Sequence, residues 1–483
     1  MRSGQPLPLA LVDVERDPNL PAYRWLYAAL RTEILSGRLR TGVRLPSTRE
    51  LASGLGLSRG TIVNAFELLE SEGYLRGTIG AGTYVSDVLP EQLLETGRPA
   101  TRHKKDRPRR TLSRYAARLE PFSSFELRPT TAFRAHIPAL QLFPRALWAK
   151  LHARRVREGS EQLLLGCDPL GYRPLREAIA DHLSSSRGVN CRAANVAIVS
   201  GTQESFDIVA RLLLDRGSIA CMEEPGYRGA RIAFASAGAT VRGIAVDGEG
   251  MEIDRKRLRG ARVVFVTPSH QFPLGTTMSL RRRLALLEWA RANDASILED
   301  DYDGEYRYAG RPIPCLQGLD TAQRVIFAGT FNKVLFPALR MGFMVVPDDL
   351  VGHVEAVKSV TQRHAPVLDQ AVVCDFITQG HFGRHLRRMR EVYAGRLGLL
   401  LALVSSRLHG ALELSPVEAG LQSYARICNG RDAKTVVRAA AERNVELLAV
   451  ADAGLVFGFG AVDDAEIRRG VRELERVFAS MKV

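Results

Sequence analysis

Between Arg44 and Leu75 the chain reads RLPSTRELASGLGLSRGTIVNAFELLESEGYL. Its apolar positions recur at helical spacing in two short runs parted by a glycine-rich break. Ser47 followed three residues on by Glu50 is a capping box that opens the first helix. Gly54 to Gly56 interrupts the pattern, and Ser58 is the natural N-cap of the second helix. There Ile62, Phe66 and Leu69 share one face and are expected to point inward. The opposite face carries Arg59, Gly60, Thr61 and Asn64, which are short or hydrogen-bonding and suit the groove of a duplex. After Gly73 the stretch YLRGTIGAGTYV alternates and turns on Gly80 and Gly82, which predicts a hairpin. Two helices, a turn and a hairpin make a winged helix-turn-helix.

From about Ser124 the texture changes to apolar strands separated by helical stretches such as SLRRRLALLEWARAN. Seven strands are predicted at 196–200, 218–222, 239–246, 263–267, 296–300, 325–329 and 342–346. Short apolar runs alternating with helices imply a mainly parallel, seven-stranded α/β sheet covered on both faces. Beyond 346, DQAVVCDFITQGHFGRHLRRMREVYAGRL reads as a long amphipathic helical region, and the remainder as a small C-terminal α+β lobe. The expected organisation is a DNA-binding domain over 15–86, a basic linker over 87–123 and a large α/β domain over 124–483.

Charge sharpens this picture. The net charge is +14 and the pI about 9.8, which suits an anionic partner such as double-stranded DNA. Much of the excess lies between Arg98 and Arg118, where nine basic residues stand against Asp106 alone. A solvated tether and a phosphate-touching linker both fit that run. The six cysteines are scattered with no CxxC pair, which argues for reduced thiols. No apolar run approaches the roughly 20 residues of a membrane-spanning helix, and the N-terminus lacks a signal-peptide pattern. A cytoplasmic protein with no membrane partner is the expectation.

Candidate chemistry sits at the predicted strand ends. SGTQ places Gly201, Thr202 and Gln203 between a strand and a helix, where backbone N–H groups can meet a phosphate. EEPGY puts Tyr227 after another strand, with a ring able to stack on a planar group. SHQFPLG carries His270, and ILEDDYDGEY carries Asp300, Asp301 and Tyr302. GTFNKVLFPALRMG then supplies Thr330, Lys333 and Arg340. A lysine after an apolar strand is costly to bury as an ammonium, so Lys333 calls for a chemical reason. Each motif alone also fits a helix cap, a loop tyrosine or a solvated turn. The order of all of them is the stronger signal.

LPSTREL, SRGT and the glycine-rich wing resemble the GntR family of bacterial transcription factors. That resemblance implies that Arg49, Ser58, Arg59 and Thr61 meet phosphates and base edges, while Gly80 lets the wing approach the minor groove. The ordered strand-end motifs resemble fold-type I aminotransferases, which implies pyridoxal 5'-phosphate as cofactor. Lys333 would form the Schiff base, Asp300 would pair with the ring nitrogen, Tyr302 would bond the ring oxygen, and Thr330 and Arg340 would hold the phosphate. Asp301 remains an alternative to Asp300. The whole chain, with DPLGYRPLREAIADHL, TPSHQFPLGTTMS and DDYDGEYRY, resembles the MocR/GabR subfamily of GntR regulators. Members look like homodimers in which each DNA-binding domain lies on the partner's aminotransferase-like domain.

Three departures bear on function. Phe272 stands where aminotransferases commonly carry an asparagine for the ring oxygen, with His270 or Gln271 as substitutes. Asn332 replaces the usual serine before the lysine. Gly166 and Cys167 stand where a tyrosine often reaches the partner's phosphate. The stretch GLVFGFGAV also lacks an arginine for a substrate carboxylate, leaving Arg426 as the nearest candidate. These features favour a ligand-responsive regulator over an enzyme, with an amine, an amino acid or the cofactor itself as effector. A working aminotransferase with an accessory DNA-binding module is the alternative. A third reading, a large domain kept only for dimerisation, is disfavoured by retention of Lys333, Arg340 and Tyr302.

Overall fold

The computed structural model describes residues 20–78, 82–90, 110–120, 131–308 and 314–481. They belong to two compact units, Met1–Arg110 and Thr111–Val483. The predicted wing glycine Gly80 and most of the basic linker lie outside the described residues.

In the first unit, helix α1 (Ala22–Leu35) precedes α2 (Thr48–Leu55), α3 (Arg59–Ser71) and the antiparallel ribbon β1 (Leu75–Thr78) and β2 (Gly82–Val85). The capping box forms as the sequence predicts. Glu50 N–H donates to Ser47 Oγ at 3.3 Å, and Ser47 N–H donates to the Glu50 carboxylate at 2.8 Å. Gly56 ends α2 in the left-handed region, at φ 64°. Ser58 Oγ then accepts Thr61 N–H at 3.1 Å and starts α3. Ile62, Phe66 and Leu69 are buried against Leu26 and Leu30 of α1, so α1 supplies the wall that closes this small core.

The second unit is built on an eight-stranded sheet in the order β3-β10-β9-β8-β7-β4-β5-β6. Its strands are β3 (Val196–Val199), β4 (Ile219–Glu224), β5 (Thr240–Asp247), β6 (Gly250–Met251), β7 (Ala261–Val266), β8 (Ser296–Asp301), β9 (Val325–Thr330) and β10 (Gly342–Val345). The seven-stranded expectation is corrected by β6. It is a two-residue antiparallel extension of β5, too short to show alternation in sequence. The pairs β4·β5, β4·β7, β7·β8 and β8·β9 are parallel, whereas β10 runs antiparallel to both β9 and β3. Both faces are buried. Along β9, Phe327 joins one apolar cluster while Ile326 and Ala328 join the other, as a side-chain period of two requires.

The smaller lobe carries the antiparallel sheet β11-β12-β14-β13, made of β11 (Leu412–Leu414), β12 (Gln422–Ile427), β13 (Leu448–Val450) and β14 (Gly454–Gly458). The amphipathic run expected to be continuous is two helices, Val367–Thr378 and His381–Arg407. They part at Gly380, whose φ of 72° no helix interior can hold. The segment around Phe133 also joins this lobe, bridging Gly458. Among the described residues no helix is long and apolar enough to cross a membrane.

Candidate functional site

Strands β3, β4, β5, β7, β8 and β9 all run in one direction, so their carboxyl ends share one edge, the usual place for ligands in such sheets. Gly201, Tyr227, His270, Asp300, Tyr302, Thr330 and Lys333 all come from the ends of these strands or the residues that follow. Residues more than a hundred positions apart are thereby gathered in one cleft.

Because successive residues of β8 face opposite sides, Asp300 and Asp301 part company. Asp301 turns to Arg187, whose Nε donates to its Oδ2 at 2.9 Å while its Nη2 donates to Ser269 Oγ. Asp300 turns to the cleft and is buried, and its Oδ1 has no hydrogen-bond partner among the described residues. Burial pushes its carboxyl well above the ordinary range; Asp301 adds to the rise and Lys333 opposes it. Lys333 occupies the turn after β9, with Nζ 5.7 Å from the centre of the Tyr302 ring. Burial lowers its ammonium pKa to about 8, against the opposing pull of Asp303 and Asp300. A lysine poised so close to neutrality is a nucleophile near physiological pH.

Tyr227 stands between Phe206 and Phe272, with ring centres 5.9 and 5.7 Å away. Burial raises its phenol to about 12, with Asp300 adding and Arg340 opposing, so the ring neighbours both. At the end of β3, Gly201 has φ 117° and opens the helix Thr202–Leu213. A Cβ there would stand 3.0 Å from Asn332 Nδ2 and 3.7 Å from Arg340 Nη2. The helix N-terminus, the Asn332 amide and the Arg340 guanidinium therefore converge on a small cradle. Thr330 Oγ1 accepts Asn332 N–H at 3.1 Å and holds that turn. Gln203 Nε2 donates to Gly229 O at 3.0 Å, which ties the cradle to the Tyr227 loop.

The face of the winged helix is simpler. Arg49, Ser58, Arg59, Gly60 and Asn64 are exposed and Thr61 is half-buried, its Oγ1 2.8 Å from Ser58 Oγ. Ser58 is thus occupied in capping. Arg44, not singled out in the sequence, pairs its backbone with Tyr84 of the wing, and its guanidinium lies against Gly82.

Residues 22–85 match the family described as bacterial regulatory proteins, gntR family, and residues 144–469 match aminotransferase class I and II. The chain is 38% identical over 480 residues to the probable rhizopine catabolism regulatory protein MocR of Rhizobium meliloti, covering 97% of this chain and 96% of that protein. This chain belongs to the MocR/GabR subfamily of GntR-type transcription regulators. It is also 29% identical over 476 residues to the HTH-type pyridoxine biosynthesis regulator PdxR of Corynebacterium glutamicum, covering 97% of this chain and 98% of that protein. Among solved structures it is similar to LysN, an α-aminoadipate aminotransferase from Thermus thermophilus complexed with N-(5'-phosphopyridoxyl)-L-leucine. There the TM-score is 0.70 at 27% identity, over 76% of this chain and 97% of that one.

The aminotransferase fold of this MocR-type chain implies pyridoxal phosphate, and the cleft fits it on three counts. Asp300 offers an unpaired buried oxygen, Lys333 a depressed amine, and Gly201 a cradle that any side chain would fill. Three further groups at the cleft stand out only in the fold. Glu223 takes Thr267 Oγ1–H at 2.6 Å, and burial raises its carboxyl to about 7. Asp303 lies 3.0 Å from His270 Nδ1, to which Tyr302 Oη also approaches at 3.1 Å. His136 sits at φ 68°, its ring 5.1 Å from Phe272 and its Nδ1 without a partner among the described residues. Burial, with Lys333 and His270 nearby, holds that imidazole neutral. Gln271 does not replace the missing asparagine: its Nε2 donates to Pro225 O at 2.9 Å and to Phe272 O at 2.6 Å. Arg426 is no carboxylate clamp either, being exposed and paired with Glu413 at 2.5 Å.

Proposed function

We propose that this regulator senses a small amine, an amino acid or pyridoxal phosphate itself through a cofactor held at Lys333, and that binding there changes its hold on a DNA operator. The observation that carries the reading is the unpaired Asp300 oxygen buried beside Tyr227 and Lys333, since a buried carboxyl oxygen left without a hydrogen bond is costly and a ring N–H would supply one. When bound, the cofactor supplies an electrophilic carbon that engages amines. Lys333 would hold it covalently, Asp300 would face its ring nitrogen and Tyr227 would stack on the ring. Tyr302, oriented by His270 and Asp303, would meet the ring oxygen. Gly201, Thr202, Gln203, Thr330 and Arg340 would surround its phosphate. Because DNA is the partner, a cytoplasmic site of action follows.

A second reading, a working aminotransferase with an accessory DNA-binding module, draws on the same depressed Lys333 amine. Self-association into a domain-swapped homodimer is part of the first reading. It is supported by Leu164, Leu165 and Val360, apolar side chains that are 77%, 80% and 83% exposed on a single chain.

Two measurements test these assignments. DNA selected from a randomised pool should bind with an affinity that shifts when amines, amino acids or pyridoxal phosphate are titrated in. On the selected DNA, Arg59→Ala should cost about 1–3 kcal/mol if its guanidinium reads a base edge. An equal loss on selected and random DNA would reduce Arg59 to a phosphate contact. Independently, labelling of Lys333 by an amine-directed acylating reagent, in protein stripped of bound aldehyde, should rise with pH to a midpoint near 8. The sign follows from burial disfavouring the charged form, so the neutral amine appears at lower pH than on an exposed lysine. A midpoint above 10, read by mass spectrometry, would contradict it.

A further inference from the structure

The first turn of the helix Thr202–Leu213, whose N-terminus forms the anion cradle, contains an acid, Glu204. A carboxylate in a first turn favours the helix dipole, yet this one also sits beside the place a dianionic phosphate would occupy. Its Oε2 accepts Ser200 N–H at 2.5 Å, across the strand-to-helix turn. Its Oε1 accepts from Lys358 Nζ at 3.0 Å. Lys358 comes from another element, the helix Val351–Thr361, and is fully buried. A lysine with no exposed surface needs a partner, and Glu204 is that partner. One helical turn further on, Gln362 accepts Ser200 Oγ–H at 3.0 Å, which locks the same turn from the side.

We infer that Lys358 is a positioning residue for phosphate recognition: it neutralises Glu204 so that Glu204 can brace the Ser200–Gly201 turn without repelling the phosphate. Glu204 holds the loop geometry and Lys358 cancels the charge that this use of an acid brings. The inference rests on the cofactor reading above. Removal of Lys358 alone leaves a negative charge beside the cradle, and removal of both charges restores neutrality.

The test compares equilibrium uptake of pyridoxal phosphate with that of pyridoxal, which lacks the phosphate, followed by visible absorbance in the full-length protein. Lys358→Met should weaken pyridoxal phosphate by on the order of tenfold or more while leaving pyridoxal within about twofold. Glu204→Gln combined with Lys358→Met should recover most of the affinity. Glu204→Gln alone, which keeps the lysine, should bind inorganic phosphate at least as tightly as wild type, measured by competition against pyridoxal phosphate. Equal loss of both aldehydes in Lys358→Met, or no recovery in the double variant, would make Lys358 a structural brace only. Weaker phosphate binding by Glu204→Gln would overturn the charge argument even if Lys358→Met does not fold. Wild-type protein that takes up neither aldehyde would instead overturn the cofactor reading itself.

Discussion

Lys333→Ala should purify without the visible absorption band of bound cofactor, and its DNA binding should no longer respond to the effector. The expected change is a complete loss, because among the described residues Lys333 is the lysine that stands over Tyr302, and its depressed amine is the proposed point of attachment. The substitution removes a half-buried side chain in a turn between two strands, so the fold should persist. Far-ultraviolet circular dichroism and the melting temperature check that directly. A visible band that survives in the variant would place the covalent attachment on another lysine and remove the basis of the site.

Ordinary amino acids should be transaminated slowly or not at all, at about 0.1 per second or less, against about 10 per second for a typical enzyme. Turnover needs the substrate held so that its Cα–H bond faces the proton acceptor, and a misplacement of about 1 Å costs roughly 100-fold. A carboxylate clamp gives that orientation in aminotransferases. Here β14, GLVFG, offers no arginine, and Arg426 on β12 is drawn to the surface by Glu413. Phe272, at the sequence position where aminotransferases commonly carry an asparagine, packs on Tyr227 and His136 and has no side-chain hydrogen bond to offer. The measurement is steady-state conversion of a panel of amino acids with a 2-oxo acid acceptor, run beside DNA binding with the same compounds. Several turnovers per second, with DNA binding unmoved, would make the second reading correct.

What could be read from the chain depended on whether a signal was local. The capping box at Ser47 and Glu50, the inward stripe of α3 and seven strands of the large sheet each depend on neighbours in sequence, and each forms within about two residues of its expected bounds. The strand-end motifs were equally legible because a parallel sheet must bring its carboxyl ends together. The separation of Asp300 from Asp301 was not legible. It is decided by Arg187, more than a hundred residues upstream, which claims one of the two. His136 and Lys358 were silent for the same reason. One lies in irregular chain and the other on an ordinary helix, and only tertiary packing brings them to the cleft. The two-residue β6 escaped because alternation needs more positions than it has.

The antiparallel β10 has a consequence for how the molecule comes into being. β3 stands at the edge of the large sheet, and its hydrogen-bonded neighbour is β10, which begins at Gly342, 143 residues after β3 ends at Val199. During synthesis at about 5–20 residues per second, β3 therefore waits roughly 7–30 s for its neighbour to be made. Until then the Gly201 turn has nothing to hold it against Asn332 and Arg340. The nascent chain can assemble β4, β5, β7 and β8 in order, but its anion cradle is completed only when β10 slots between the newest strand and the oldest. Completion of that turn thus depends on β10, the last strand of the large sheet to be made.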